Sequence, residues 1–510
     1  MTREPRRSGI LLHPTSLPGR FAIGDMGPGA RNWISYLAGS QQSLWQVLPL
    51  GPTGYGDSPY QSLSAFAGNP MLISPDRLQA DGLLGAGDLD RLPNSPTGRI
   101  DYAQVIDYKG QLLDRAFENF KTGKAHGLKA AFEAFRHSEG EWLEDFALFM
   151  AIKHENGGRD WGQWPRELRL RQARALQTAL QRNAYRVEAN CFQQFVFFRQ
   201  WDELRSLARG DGIRLIGDAP IFVAYDSADV WTHPELFKLD EQGRPLVVAG
   251  VPPDYFSSVG QLWGNPLYRW DRMRENGYRW WIQRVRAVLR TCDLVRLDHF
   301  RGFEAAWEVP RGETTAERGD WVPGPGADLF DALRASLGAL PLIAEDLGLI
   351  TPPVESLRKQ FGLPGMAVLQ FAFSGDSANS YLPHNYEPDT VVFTGTHDND
   401  TTRGWYDSAS EAERDFARRY LGTQGTDIAW DLIRLGWESV ARMAVIPLQD
   451  VLDLGSEARM NFPSRPSGNW TWRVREEQLT LRQQERLAEL SRLYGRGEVA
   501  PEAEQASAPI

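Results

Sequence analysis

Leu294-Val295-Arg296-Leu297-Asp298-His299-Phe300 reads as a buried strand that ends in a charge. Leu294, Val295 and Leu297 are apolar, and Asp298 follows where an ordinary buried strand would not tolerate it. Arg296 and Asp298 are two residues apart, so in a strand they share a side. Seven more short apolar runs lie at 9–12, 44–50, 213–223, 340–347, 366–373, 390–396 and 443–448. Helical patterns fall between many of them, at 30–37, 278–290, 329–337 and 353–361. Near-continuous apolar strands alternating with helices indicate a parallel sheet covered on both faces. Eight such strands predict an α/β fold, a closed (β/α)8 (TIM) barrel.

A barrel of this kind takes about 250 residues, and the chain has 510. The excess is expected as insertions. Residues 75–209 are almost entirely helical in pattern, with apolar residues at three- and four-residue spacing in 108–120, 128–135, 141–154, 168–180 and 188–207. The chain then divides into first barrel strands and loops (1–74), a helical insertion subdomain (75–209), the remainder of the barrel (210–494) and a tail (495–510). The tail is rich in Ala, Glu and Pro and is expected to be disordered. Segments 231–270 and 314–325 read as long active-site loops, and 476–494 as a polar helix. No internal repeat at solenoid periods is present.

Composition narrows the function. The formal net charge of −10 argues against nucleic acid, which calls for clustered Lys and Arg. A neutral substrate fits better. Cys191 and Cys292 are the only cysteines, too few for a disulfide framework or a cysteine metal cluster. The apolar run Ile10-Leu11-Leu12 stops at His13-Pro14, short of a secretory signal. No stretch approaches the ~20 apolar residues of a membrane span. A cytoplasmic protein is the expectation. Aromatics are abundant, at 18 Trp, 15 Tyr and 24 Phe. Sugar rings stack their C–H faces on such rings. No phosphate loop, dinucleotide fingerprint or His-Glu-x-x-His occurs, and Asp398-x-Asp400 lacks the later residues of a calcium loop.

Acids at the C-terminal ends of barrel strands face the active site. Three strand ends carry them: Asp298, Glu345-Asp346 after Leu342-Ile343-Ala344, and Asp398 in Thr394-Gly395-Thr396-His397-Asp398-Asn399-Asp400. Two carboxyls are the minimum for glycoside chemistry, one attacking or stabilising the anomeric carbon and one protonating the leaving oxygen. Arg296 favours the charged form that a nucleophile at Asp298 requires. Glu345 must hold a proton at rest, which calls for a less polar niche or a neighbouring negative charge. Asp346 faces the other way in a regular strand and is assigned a structural bond. Asp398 could supply a third carboxylate. His299 and His397 can hydrogen-bond sugar hydroxyls or be structural.

Together the segments Val295–Gly302, Ala344–Gly348 and Thr394–Thr401 resemble the amylomaltases, the 4-α-glucanotransferases of glycoside hydrolase family 77. The resemblance extends through His13-Pro14-Thr15-Ser16-Leu17-Pro18-Gly19, Gly56-Asp57-Ser58-Pro59-Tyr60-Gln61, Gly217-Asp218-Ala219-Pro220, Gly250-Val251-Pro252-Pro253-Asp254-Tyr255-Phe256-Ser257, Trp263-Gly264-Asn265-Pro266 and Asn469-Trp470-Thr471-Trp472-Arg473. It implies a retaining double displacement with Asp298 as nucleophile, Glu345 as acid/base and Asp398 as transition-state stabiliser. It also implies that Arg296 and His397 bind the donor sugar, that Tyr60 stacks near the scissile bond, and that Asp218 contacts hydroxyls. Asp254, Tyr255 and Phe256 would sit on a loop arching over the cleft, with Trp263, His299 and Asn469 completing the substrate contacts. The implied partners are α-1,4-glucans and maltooligosaccharides, with no metal, no organic cofactor and a monomeric chain. An α-amylase-type hydrolase is the nearest rival reading, and a glucan-binding protein without catalysis is a more distant one.

Overall fold

Strands that are apolar on both faces need a cover on both faces, and the chain supplies it. The computed structural model describes residues 5–93, 98–253, 257–463, 465 and 467–497. Eight parallel strands form one sheet: Arg7–Leu11, Leu44–Gln46, Arg214–Pro220, Leu294–Asp298, Leu342–Ala344, Gly365–Val368, Thr390–Phe393 and Met443–Pro447. Each pairs with its neighbour in chain order except the fifth with the sixth, and the eighth returns to the first, with Met443 beside Arg7 and Pro447 beside Leu11. The seam between the fifth and sixth closes where Ala344 N–H donates to the Pro364 carbonyl at 2.9 Å. The fold is the (β/α)8 barrel that the sequence predicts.

Close approach explains two glycines. A Cβ at Gly9 would lie 2.2 Å from the Leu44 carbonyl oxygen of the neighbouring strand. A Cβ at Gly365 would meet the Asp346 carboxylate at 2.4 Å. Asp346 uses that space to accept the Met366 N–H at 2.7 Å and to pair with Arg358 at 3.1 Å. It is the structural acid that alternation along its strand requires.

Between the second and third strands lie the expected helices, of which Tyr102–Lys121 and Ala184–Gly210 are the longest. The pattern at 168–180 splits into Arg166–Arg169 and Ala173–Arg182, broken where Arg171 takes a left-handed φ of 50°. The long helix Ala184–Gly210 buries Phe192, Phe195, Phe197, Phe198 and Trp201. Its Gln194 brackets the backbone of Gly68 with bonds of 2.7 and 2.9 Å. Trp201 Nε1–H donates to the Thr291 carbonyl at 2.8 Å. The insertion thus shares one core with the barrel.

Three expectations are corrected. Segments 231–270 and 314–325 are not only loops, because Val247–Val251, Gln261–Pro266, Ala305–Pro310 and Asp320–Pro323 form a four-stranded antiparallel sheet. These strands are short and broken by Gly and Pro, so no alternation marks them. The polar helix begins later, at Leu481–Leu493, after a separate turn at Glu476–Gln478. The tail does not start at 495: Arg496 is buried and donates to the carbonyls of Trp437, Ser439 and Ala441. Among the described residues no helix is long and apolar enough to cross a membrane.

Candidate active site

Register gathers the acids. Asp218 lies beside Arg296, Pro220 beside Asp298, and Leu297 beside Ala344, which sets Glu345 level with Asp298. Side chains two apart on one strand, and level on neighbouring strands, point the same way. Asp218, Arg296, Asp298 and Glu345 therefore converge at the C-terminal mouth of the barrel.

Arg296 is the hub. Its Nη1 donates to both Asp218 oxygens at 2.9 and 2.8 Å, and its Nη2 lies 2.9 Å from Asp298 Oδ1. The Arg296 and Asp218 side chains are 5% and 0% exposed, whereas Asp298 is 28% exposed. Of the carboxylates on this guanidinium, Asp298 is the one that reaches the cleft. Burial pushes the Asp218 carboxyl up against the opposing pull of Arg296.

Glu345 is held by two backbone donors, His299 N–H to Oε2 at 2.7 Å and Leu347 N–H to Oε1 at 3.1 Å. Burial pushes its carboxyl up to about 7, and the negative charge of Asp298 pushes the same way. Arg296 and the two N–H bonds oppose that shift without cancelling it. Asp298 thus faces a guanidinium, and Glu345 faces two backbone donors.

His299 directs its N–H at Glu345 through a left-handed φ of 51°. Its ring meets Trp263 edge to face at 4.7 Å, and burial lowers its pKa to about 4, which keeps it neutral. Tyr60 stacks on His397 with ring centroids 4.8 Å apart and 15° between planes. The Tyr60 hydroxyl donates to Asp218 Oδ2 at 2.9 Å. His397 Nε2 lies 3.4 Å from Asp398 Oδ2, and the Asp398 side chain is 49% exposed.

Asn469 is buried and bonded to nearby backbone. Its Oδ1 accepts the Phe462 N–H and its Nδ2 donates to the Arg465 carbonyl, both at 2.9 Å. Asp254, Tyr255 and Phe256 lie outside the described residues.

The structure adds residues that sequence reasoning missed. Asn461 Nδ2 donates to Asp398 Oδ1 at 2.6 Å, and Arg459 Nη2 donates to the Asp398 carbonyl at 2.6 Å. Trp470, at a left-handed φ of 62°, sits 5.9 Å from both the Tyr60 and His397 rings. Trp470 stands in the motif Asn469–Arg473, whereas Asn461 and Arg459 carry no local signal.

This geometry has close relatives. The glycoside hydrolase family 77 model, described as 4-alpha-glucanotransferase, matches residues 12–480. The chain belongs to the 4-α-glucanotransferase family. The 4-alpha-glucanotransferase of Thermus thermophilus is 54% identical over 478 residues, covering 92% of this chain and 95% of that protein. That of Synechocystis sp. is 50% identical, covering 97% and 98%. The structure of amylomaltase from Streptococcus agalactiae in complex with acarbose superimposes with a TM-score of 0.93 at 38% identity, over 97% of this chain and 100% of that one. In this 4-α-glucanotransferase the matched span takes in all three acid-bearing strand ends, at Asp298, Glu345 and Asp398.

Proposed function

We propose that this 4-α-glucanotransferase works by double displacement, with Asp298 as nucleophile, Glu345 as acid/base and Asp398 as stabiliser of the distorted sugar. The observation that carries the reading is the contrast between the two neighbouring acids. Asp298 is ion-paired to Arg296, while Glu345, half-buried and bonded only to backbone N–H groups, is held up to about 7. Unlike environments on adjacent carboxyls separate a nucleophile from a proton donor.

In the first step Asp298 attacks the anomeric carbon as the bond to the leaving glucan breaks, and the Glu345 proton goes to the departing 4-oxygen. A covalent glucosyl-enzyme forms with inversion. Glu345, now a carboxylate, takes the proton from the 4-hydroxyl of an acceptor glucan, whose oxygen displaces Asp298 with a second inversion. The α configuration is kept. Asp218 holds Arg296 against Asp298, and the Tyr60–His397 stack offers a flat face to a pyranose. Trp263, His299 and Asn469 shape the walls, and Asp254, Tyr255 and Phe256 complete the acceptor side by resemblance to the family.

Donor and acceptor are α-1,4-glucans and maltooligosaccharides, met by a monomeric, cytoplasmic enzyme. The division of the chain near 75 and 210 belongs to the same proposal. The hydrolase reading is not favoured, since the curated relatives are glucanotransferases. Incubation with maltotriose tests the reading: transfer gives a ladder of longer sugars plus glucose, and hydrolysis gives only shorter ones.

A further inference from the structure

Away from the catalytic carboxylates, the helical insertion and the barrel share a half-open pocket of about 290 Å³, near the lower size of small-molecule sites. Four distant parts of the chain wall it, one of them the segment with Asp229 and His233. Phe66 comes from the loop after the second strand, Trp142 from the segment before Leu143–Glu155, and Trp280 from the helix Arg279–Thr291. The Phe66 and Trp142 rings are near parallel, 6.4 Å apart at 19°, and Trp280 stands edge-on to Phe66 at 6.0 Å and 84°.

Most of the rim charges are already matched. Glu139 pairs with Arg290, Glu141 with Arg279 at 2.7 Å, and Asp145 with Arg171 at 2.7 Å. Arg286 reaches Ser336 Oγ at 3.4 Å and His233 faces Glu235 at 3.5 Å. Among the described residues Arg286, which meets only Ser336 Oγ, and Asp229, which accepts the Ala65 N–H at 2.8 Å, have no ion-pair partner, and their opposite signs leave no net counter-charge for a charged ligand. Polar handles of neutral kind remain. Ser64 Oγ accepts the N–H groups of Phe66 and Ala67 at 3.1 and 3.2 Å, which leaves its proton to donate. Gln283 spends its amide N–H on Glu141 at 2.6 Å and keeps its oxygen to accept. Flat apolar walls with neutral donors and acceptors suit a pyranose ring.

We propose that this cavity is a second binding site for a neutral glucose unit, through which a long α-glucan gains a handhold apart from the reacting bond. The proposal rests on the α-glucan chemistry of the family and not on the roles given to Asp298 and Glu345. A long chain that engages both places gains effective concentration, whereas a short one cannot.

The test uses Trp142→Leu and, because Trp142 also packs on its neighbours, Gln283→Leu as a second variant at a half-exposed position. The apparent KM for amylose is expected to rise several-fold in both, with kcat and KM for maltotriose unchanged. Equilibrium dialysis with methyl α-D-glucoside, which has no interglucose bond to cut, is expected to show one fewer glucoside bound per chain in each variant. Amylose kinetics and glucoside stoichiometry equal to those of the unaltered enzyme in Gln283→Leu would overturn the proposal. Because dialysis needs no turnover, its outcome is independent of the assignment of the catalytic acids.

Discussion

The Glu345 carboxylate accepts the backbone N–H of His299 at 2.7 Å, so the residue next to Asp298 in sequence is bonded directly to the second acid. One short turn fixes both groups relative to each other, and the left-handed backbone of His299 aims the N–H.

The elevated Glu345 carboxyl predicts the pH profile. The protonated form starts the reaction, so kcat/KM for maltotriose should fall as pH rises through about 7. Glu345→Gln should remove that limb and lower kcat by about 100- to 10,000-fold. A stability effect accompanies it. A carboxyl raised on folding contributes stability below its unfolded value of about 4.3 and loses it as pH rises through the folded value. Glu345→Gln should therefore raise the thermal midpoint at about pH 8 and change it little at about pH 4, measured by calorimetry.

Removing one charge from the buried Asp218–Arg296 pair leaves the other poorly matched. Asp218→Asn should destabilise the fold by about 3 kcal/mol in denaturant unfolding. Arg296→Lys keeps the charge but not the fork that bridges Asp218 to Asp298, and kcat should fall by at least about tenfold. Wild-type rates in Arg296→Lys would show that the bridge is dispensable.

The barrel strands were legible because both faces are apolar, as in Met443–Pro447, where every residue is buried. The acids were legible because a buried strand excludes charge, so a carboxylate that closes such a run marks the strand's open end. The four-stranded antiparallel sheet was not, since Asp320–Pro323 and Gln261–Pro266 are partly exposed and lack alternation. The Asn461 contact was hidden by distance along the chain: it joins positions 63 residues apart, and no local pattern reports such a bond.

Asn461 turns that contact into a prediction. Without its amide, Asp398 loses a 2.6 Å bond that fixes one oxygen. Asn461→Ala should lower kcat about tenfold with a smaller change in KM, and Asn461→Asp, which sets like charges together, should be worse. Steady-state kinetics on maltotriose decides it.

Tyr60→Phe separates the stacking face from the hydroxyl. The ring stays on His397 while the 2.9 Å bond to Asp218 is lost, so activity should drop only about fivefold. Tyr60→Ala removes the face as well and should raise KM much further. Equal losses in the two variants would assign the whole effect to the hydroxyl.

Trapping the covalent intermediate tests the mechanism most directly. A fluorinated α-glucosyl donor that slows the second displacement, followed by proteolysis and mass spectrometry, should leave one hexosyl adduct on the peptide carrying Asp298. An adduct on another residue, or turnover that survives in Asp298→Ala, would contradict the double displacement through Asp298.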